Sequence, residues 1–77
     1  MISVYRVGRK ARVNGGVRYV QLELRGLSTD SKPITTANLP SSVNAVGNAV
    51  ENGSVFIEID TQKIFFYDLV SQEWKEV

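Results

Sequence analysis

Apolar and polar residues alternate along much of this chain with the two-residue period of a β-strand, not the 3.6-residue period of a helix. The cleanest run is 19–25. Val20, Leu22 and Leu24 take one side, and Tyr19, Gln21, Glu23 and Arg25 take the other. Just before it stands Val13-Asn14-Gly15-Gly16-Val17. Asn-Gly between β-branched residues supplies the positive φ values that a tight hairpin turn requires. Ile2 to Arg9 reads as a further strand, rich in β-branched residues and ending near Gly8. Its alternation breaks where Val4 and Tyr5 adjoin, as in an edge strand or one with protein on both faces. Gly26 marks the end of this first hairpin unit.

A second hairpin unit occupies Gly53 to Val77, which holds all three Phe, the only Trp and one of the three Tyr. It predicts a hairpin followed by a short strand carrying Trp74, and it is the expected core. With Thr61-Gln62 as a two-residue loop, Asp60 faces Lys63, Glu58 faces Phe65 and Ile57 faces Phe66. Ile57, Ile59, Ile64 and Phe66 then form one apolar face. Phe56, Glu58, Phe65 and Tyr67 form a mixed face opposite. Aromatics with charges among them suit a protein contact, or they pack beneath the segment that precedes them. That segment, Ser28 to Pro40, reads as an irregular arm, with Pro33 and Pro40 holding their predecessors extended. It is either a surface crossover between hairpins or an arm that docks on a neighbouring protein. Ser41 to Asn52 has room for one short helix. Ser41 or Ser42 would cap it, Val43, Val46 and Val50 would share a face, and Asn52-Gly53 would end it. Gly47 inside it would cost about 1 kcal/mol relative to Ala. The fold class expected is mainly β: a small antiparallel sheet or sandwich of two hairpin units, about five strands, with an irregular arm.

The 77 residues bound this to a single domain, 1–77, near the lower size limit for a self-sufficient core. No Cys is present, so no disulfide or thiolate metal site exists. No His is present either, which removes Ser-His-Asp and Cys-His nucleophilic systems. No phosphate-binding glycine loop occurs. Glu58 and Asp60 lie two apart on a strand and could act as an acid–base pair or hold a cation. A solvated strand face or a salt bridge to Lys63 is the simpler account of them. The expectation is a non-enzyme without cofactor or metal. No run approaches the roughly 18 apolar residues of a membrane span, and residues 1–7 lack the apolar core of a signal peptide. The expected location is the cytoplasm or a particle assembled there.

The net charge of +1 conceals a division. Residues 1–25 hold six basic side chains and one acidic one, while residues 51–77 hold two basic and six acidic. The two halves can satisfy each other within one chain or head to tail between subunits. Otherwise Arg9, Lys10, Arg12 and Arg18, beside Tyr5 and Tyr19, form a basic hairpin fit for nucleic acid. Dedicated nucleic-acid binders are usually far more basic than this chain.

Several stretches resemble small virion structural proteins, described as head-fibre-like, of tailed phages with Gram-positive hosts. The residues are Asn52-Gly53-Ser54, then Ile59-Asp60-Thr61-x-Lys63, Phe66-Tyr67-Asp68 and Trp74-x-Glu76. Val13-Asn14-Gly15-Gly16-Val17-Arg18 and Gly26-Leu27-Ser28-Thr29-Asp30-x-Lys32-Pro33 resemble the N-terminal half of the same group. Gln62 stands where that pattern has a turn Gly, a departure costing roughly 1–2 kcal/mol if the position is left-handed. The resemblance implies a non-catalytic virion protein that decorates or attaches to the head through subunit contacts. It also implies capsid or sister subunits as partners and several copies on a particle. A small β-module binding nucleic acid through the first hairpin is the alternative. The residues expected to meet a partner are Arg9, Lys10, Arg12, Arg18, Tyr19, Phe56, Phe65 and Tyr67.

Overall fold

The first tight turn falls one residue later than the Asn-Gly signal suggests. Gly15 and Gly16 both take positive φ, 60° and 79°, and Asn14 pairs with Val17 across them. Two consecutive left-handed residues match the twist of the strands they join, and glycine reaches that region without steric cost. The structure, a computed structural model, describes residues 2–8 and 11–77. Arg9 and Lys10 lie outside the described residues.

Among the described residues there are eight strands and one short helix: β1 Ser3–Val7, β2 Arg12–Asn14, β3 Val17–Val20, β4 Leu22–Gly26, α1 Ser41–Asn44, β5 Ala49–Val50, β6 Val55–Glu58, β7 Ile64–Asp68 and β8 Glu73–Glu76. The main sheet has the order β1-β4-β6-β7-β8, and a smaller one the order β2-β3-β5. The fold is mainly β, as the alternation predicts. Neighbours are antiparallel at four ladders, but β4/β6 and β3/β5 run parallel. The parallel pairs follow from the crossover. The chain leaves β4 at one end of the sheet and returns through the arm to start β6 at the other, so β6 can lie beside β4 only in the same direction.

The alternating run 19–25 crosses both sheets. Gln21 interrupts the ladder, yet Val20, Leu22 and Leu24 stay buried at 0–2% exposure. They form the core with Leu39, Val43, Val50, Phe56 and Tyr67. Ser54, itself buried, ties the crossover to β4 by accepting the Leu22 N–H at 3.1 Å and donating to the Glu51 carbonyl at 2.8 Å.

The arm packs against its own sheet. Thr36 and Leu39 are buried. The Thr36 hydroxyl lies 2.7 Å from Asn44 Oδ1 and 2.9 Å from the Gly47 carbonyl. The indole N–H of Trp74 donates to the Pro33 carbonyl at 2.8 Å, so the last strand clips the arm down. The helix is shorter than the valine spacing suggests. Its N-cap is Pro40, without a side-chain cap, and it ends at Asn44. Gly47 accounts for the early end. A Cβ there would sit 2.8 Å from Val20 Cβ and 3.0 Å from the Arg18 carbonyl. The chain flattens onto β3 at this point and becomes β5. Val43 and Val50 still reach the core, from two different elements.

The hairpin β6–β7 also corrects a register. Val55 pairs with Phe66, Phe56 with Phe65 and Ile57 with Ile64. The loop is four residues, 59–62, closed by the Glu58 N–H donating to the Lys63 carbonyl at 2.8 Å. Gln62 takes φ 62°, the left-handed conformation expected of the Gly it replaces. The shift of two residues preserves which side chains share a face.

Candidate interaction surface

The two faces of the main sheet have opposite fates. Phe56, Glu58, Phe65, Tyr67 and Trp74 point toward the arm. Phe56 is 0% exposed and Tyr67 3%, with Trp74 edge-on to Phe56 at 6.0 Å and tilted against Tyr67 at 5.1 Å. The two expected contact residues Phe56 and Tyr67 are therefore core, and Phe65 is half-buried beside them. The reason is the arm, which closes over Phe56 and Tyr67 and leaves Phe65 partly exposed.

Lys32 makes that face tolerable for a charge. Its ammonium lies 2.6 Å from Glu58 Oε2 and rests over the rings of Phe56 and Phe65, 4.9 and 4.3 Å from their centroids. Thr61 donates to the other Glu58 oxygen at 2.6 Å. The Lys32 hydrogen bond, followed by that of Thr61, holds the Glu58 carboxyl below its ordinary value of 4.5. Glu58 thus pairs with Lys32 of the arm, not with Lys63, which reaches Glu76 at 3.7 Å. Asp60 is bound to Ser28, accepting its backbone N–H at 2.9 Å and its hydroxyl at 2.6 Å. Glu58 and Asp60 are each held by separate donors and do not face each other as an acid–base pair. Among the described residues no three His, Cys, Asp or Glu are grouped to hold a metal ion.

Among the described residues no segment covers the other face. Pairing places Arg6, Glu23, Val55, Phe66 and Lys75 in one row across the five strands. The next row holds Ser3, Arg25, Ile57 and Ile64, ending beside Val77, whose N–H donates to the Ile64 carbonyl at 2.9 Å. Ile64 and Phe66 are 42% and 47% exposed, and Ile59 in the adjoining loop is 56% exposed. Val55 and Ile57 lie half-buried between them. This is the apolar face that the alternation groups correctly, and it is the face left bare. An open cleft of about 400 Å³, lined by Arg6, Gly8, Gln21, Leu22, Glu23 and Val55, adjoins it.

Charges frame the apolar centre. On the β1/β4 side, Arg25 bonds Glu23 at 3.2 Å and stacks 4.0 Å from the Tyr5 ring centroid. On the β8 side, Lys75 bonds Asp68 at 3.0 Å, which holds the Asp68 carboxyl below its ordinary value. Arg6 and Glu73 form no ion pair among the described residues. The sheet's edges are guarded. Tyr5 sits at a register shift in β1, and β8 is built of Glu73, Trp74, Lys75 and Glu76. Bulges and charges at edges discourage strand addition.

The basic hairpin lies apart, on the small sheet. Arg12 grips Glu51 through Nε at 2.7 Å and an Nη at 3.1 Å, with its guanidinium 4.5 Å from the Tyr19 ring centroid. That bidentate pair holds the Glu51 carboxyl below its ordinary value. Arg18 is exposed, its backbone N–H donating to Asn48 Oδ1 at 2.8 Å. The structure brings together Arg12 and Tyr19 as the sequence suggests, and adds Glu51 as an acidic partner of Arg12. The two charged halves meet within one chain at Arg12–Glu51.

No protein-family model, curated protein or solved structure matches this chain.

Proposed function

We propose that this protein is a non-catalytic structural subunit that works through protein contacts made by the bare face of its main sheet. The observation that carries the reading is the uncovered apolar centre of Val55, Ile57, Ile64 and Phe66 between two guarded edges. Apolar rows with a charged frame have the layout of a protein contact, an apolar core inside a polar rim. The setting proposed for it is a phage virion, on the resemblance of the hairpin motifs, with capsid or sister subunits as partners at the head. The nucleic-acid alternative has one of its four cations, Arg12, paired with Glu51.

Mass spectrometry of purified particles, combined with co-sedimentation, tests this reading. The protein is expected in the particle, and a Phe66→Glu variant is expected to fail to co-sediment. A protein missing from particles removes the virion setting. Retention of the Phe66→Glu variant removes the bare face from the contact. In parallel, DNA titration at low and physiological salt is expected to show no micromolar binding. Tight binding that falls steeply with salt would signal phosphate contacts and favour the alternative.

A further inference from the structure

We infer that the bare face is built for a second copy of this chain, which stacks sheet on sheet about a two-fold axis running along the strands over β6. The inference rests on the reading of that face as a contact surface, and adds its occupant and orientation. The face offers complementary flanks to itself. Its β1/β4 flank carries Arg6, Glu23 and Arg25, an excess of one positive charge. Its β7/β8 flank carries Asp68, Glu73 and Lys75, an excess of one negative charge. β6 is the central strand of the five. A two-fold axis along β6 lays β1 and β4 of one copy over β8 and β7 of the other, so the positive flank meets the negative flank twice. The alternative two-fold axis, across the strands, sets each flank over its like.

The charges already paired within one flank need no new partner: Arg25 holds Glu23 and Lys75 holds Asp68. Arg6 and Glu73 remain, one on each flank, and neither has an ion pair among the described residues. In the stacked arrangement each Arg6 lies over the row of Lys75 of the second copy, and its long side chain extends one row along β8 to Glu73. Val55 and Ile57 pack on their own counterparts across the axis, and Ile64 and Phe66 lie over the aliphatic stems of the Glu23–Arg25 pair. Edge-to-edge pairing is a poorer route, because the register shift at Tyr5 and the charges of β8 oppose it.

Size sets the strength. Five strands at about 4.8 Å spacing and five residues at about 3.3 Å each give a face of roughly 400 Å² in projection. Stable interfaces bury about 800 Å² per partner, so the dimer is reversible and depends on concentration.

Sedimentation equilibrium of the full chain, from about 10 μM to 1 mM, tests this. A monomer–dimer equilibrium is expected in that window. Phe66→Glu and Ile64→Lys, both at exposed positions, are each expected to weaken it at least about tenfold while circular dichroism stays unchanged. Arg6→Glu is expected to weaken it several-fold, and adding Glu73→Arg to that variant is expected to restore it. A monomer throughout the range overturns the inference, as does a double charge reversal that weakens association further instead of restoring it. If the wild type stays monomeric while Phe66→Glu still abolishes co-sedimentation with particles, the second-copy inference fails and the contact-surface reading stands. If Phe66→Glu changes neither property, both fail.

Discussion

On β6 and β7 the two faces of the main sheet differ in a way that the composition of that hairpin alone does not suggest. The covered face carries Glu58 between Phe56 and Tyr67, while the bare face carries Val55, Ile57, Ile64 and Phe66. A carboxylate in a small core is tolerable only when it is paired and fully hydrogen-bonded. Lys32 and Thr61 supply those bonds, one to each oxygen. On β6 and β7 burial therefore goes to the face that continues the Val4, Leu22 and Leu24 surface and receives the arm. The arm provides a lysine for Glu58, a carbonyl for the Trp74 indole and Leu39 for the core that holds the aromatics, to which α1 adds Val43. Nothing in the described chain answers Ile64 and Phe66. On the function proposed above, a partner would cover that apolar centre.

The sharpest way to break this comparison is to truncate one phenylalanine on each side. Phe56→Ala removes a fully buried ring that touches Trp74 and Lys32. It is expected to cost about 3–5 kcal/mol, comparable to the whole stability of a domain this size. Phe66→Ala, at 47% exposure, is expected to cost under about 1 kcal/mol in dilute protein. Urea titrations below the self-association range measure both. Comparable losses at the two positions would mean that the bare face is part of the folded core.

The next test concerns the charge on the covered face. Lys32→Ala is expected to lower Tm by about 10 °C at pH 7, because Glu58 is left buried and ionised with Thr61 alone. Lys63→Ala, whose partner Glu76 is 3.7 Å away on the surface, is expected to move Tm by no more than about 2 °C. The pH dependence separates pairing from mere packing. In the parent, Glu58 titrates below its ordinary 4.5 when folded. Its contribution is present above 4.5 and is lost as pH falls through the depressed value. Glu51, held down first by Arg12, adds to the same acid limb. Without Lys32 the Glu58 carboxyl loses the largest of the bonds that hold it down, so less of that contribution remains once the group is ionised. The deficit of Lys32→Ala relative to the parent is therefore expected to be larger at pH 7 than at pH 3.5. Equal deficits in thermal melts at the two pH values would reduce Lys32 to a packing role.

Sequence periodicity carried the strands further than it carried the site. Val20, Leu22 and Leu24 could be assigned to the core because a two-residue alternation is a direct image of a half-buried strand. The membership of each face of β6–β7 was equally legible, since a register shift of two leaves it intact. Which face is covered was not legible. That depends on Lys32 and Pro33, residues with no pattern of their own that reach β6 and β8 across 26 and 41 positions. Long-range pairing of this kind leaves no local trace. The Glu58-among-aromatics motif was nevertheless a usable signal. A lone carboxylate on a strand between Phe and Tyr, with a single lysine in a proline-bearing arm, is the composition of a buried ion pair as well as of a contact surface. The short helix misled for a similar reason. Gly47 reads as a weak point in a helix until β3 is known to lie 2.8 Å from where its Cβ would be.

The smallest expected effect provides the control for the others. Both hairpin turns of the main sheet end on glutamine in the left-handed region, Gln62 at φ 62° and Gln72 at φ 56°. A side chain there costs roughly 1–2 kcal/mol against glycine, offset in part by the greater freedom of glycine in the unfolded chain, about 0.5–1 kcal/mol. Gln62→Gly is thus expected to raise Tm by about 2–4 °C, and Gln72→Gly by a similar amount. The turns lie at opposite ends of β7, so their effects should add. Neither turn residue lies in the rows that frame the bare face. The double variant is therefore expected to melt higher while self-associating as the parent does. Differential scanning calorimetry and sedimentation on the same samples check the two properties together. A stabilised variant with altered association would mean that sheet stability, and not the composition of its bare face, governs contact between copies.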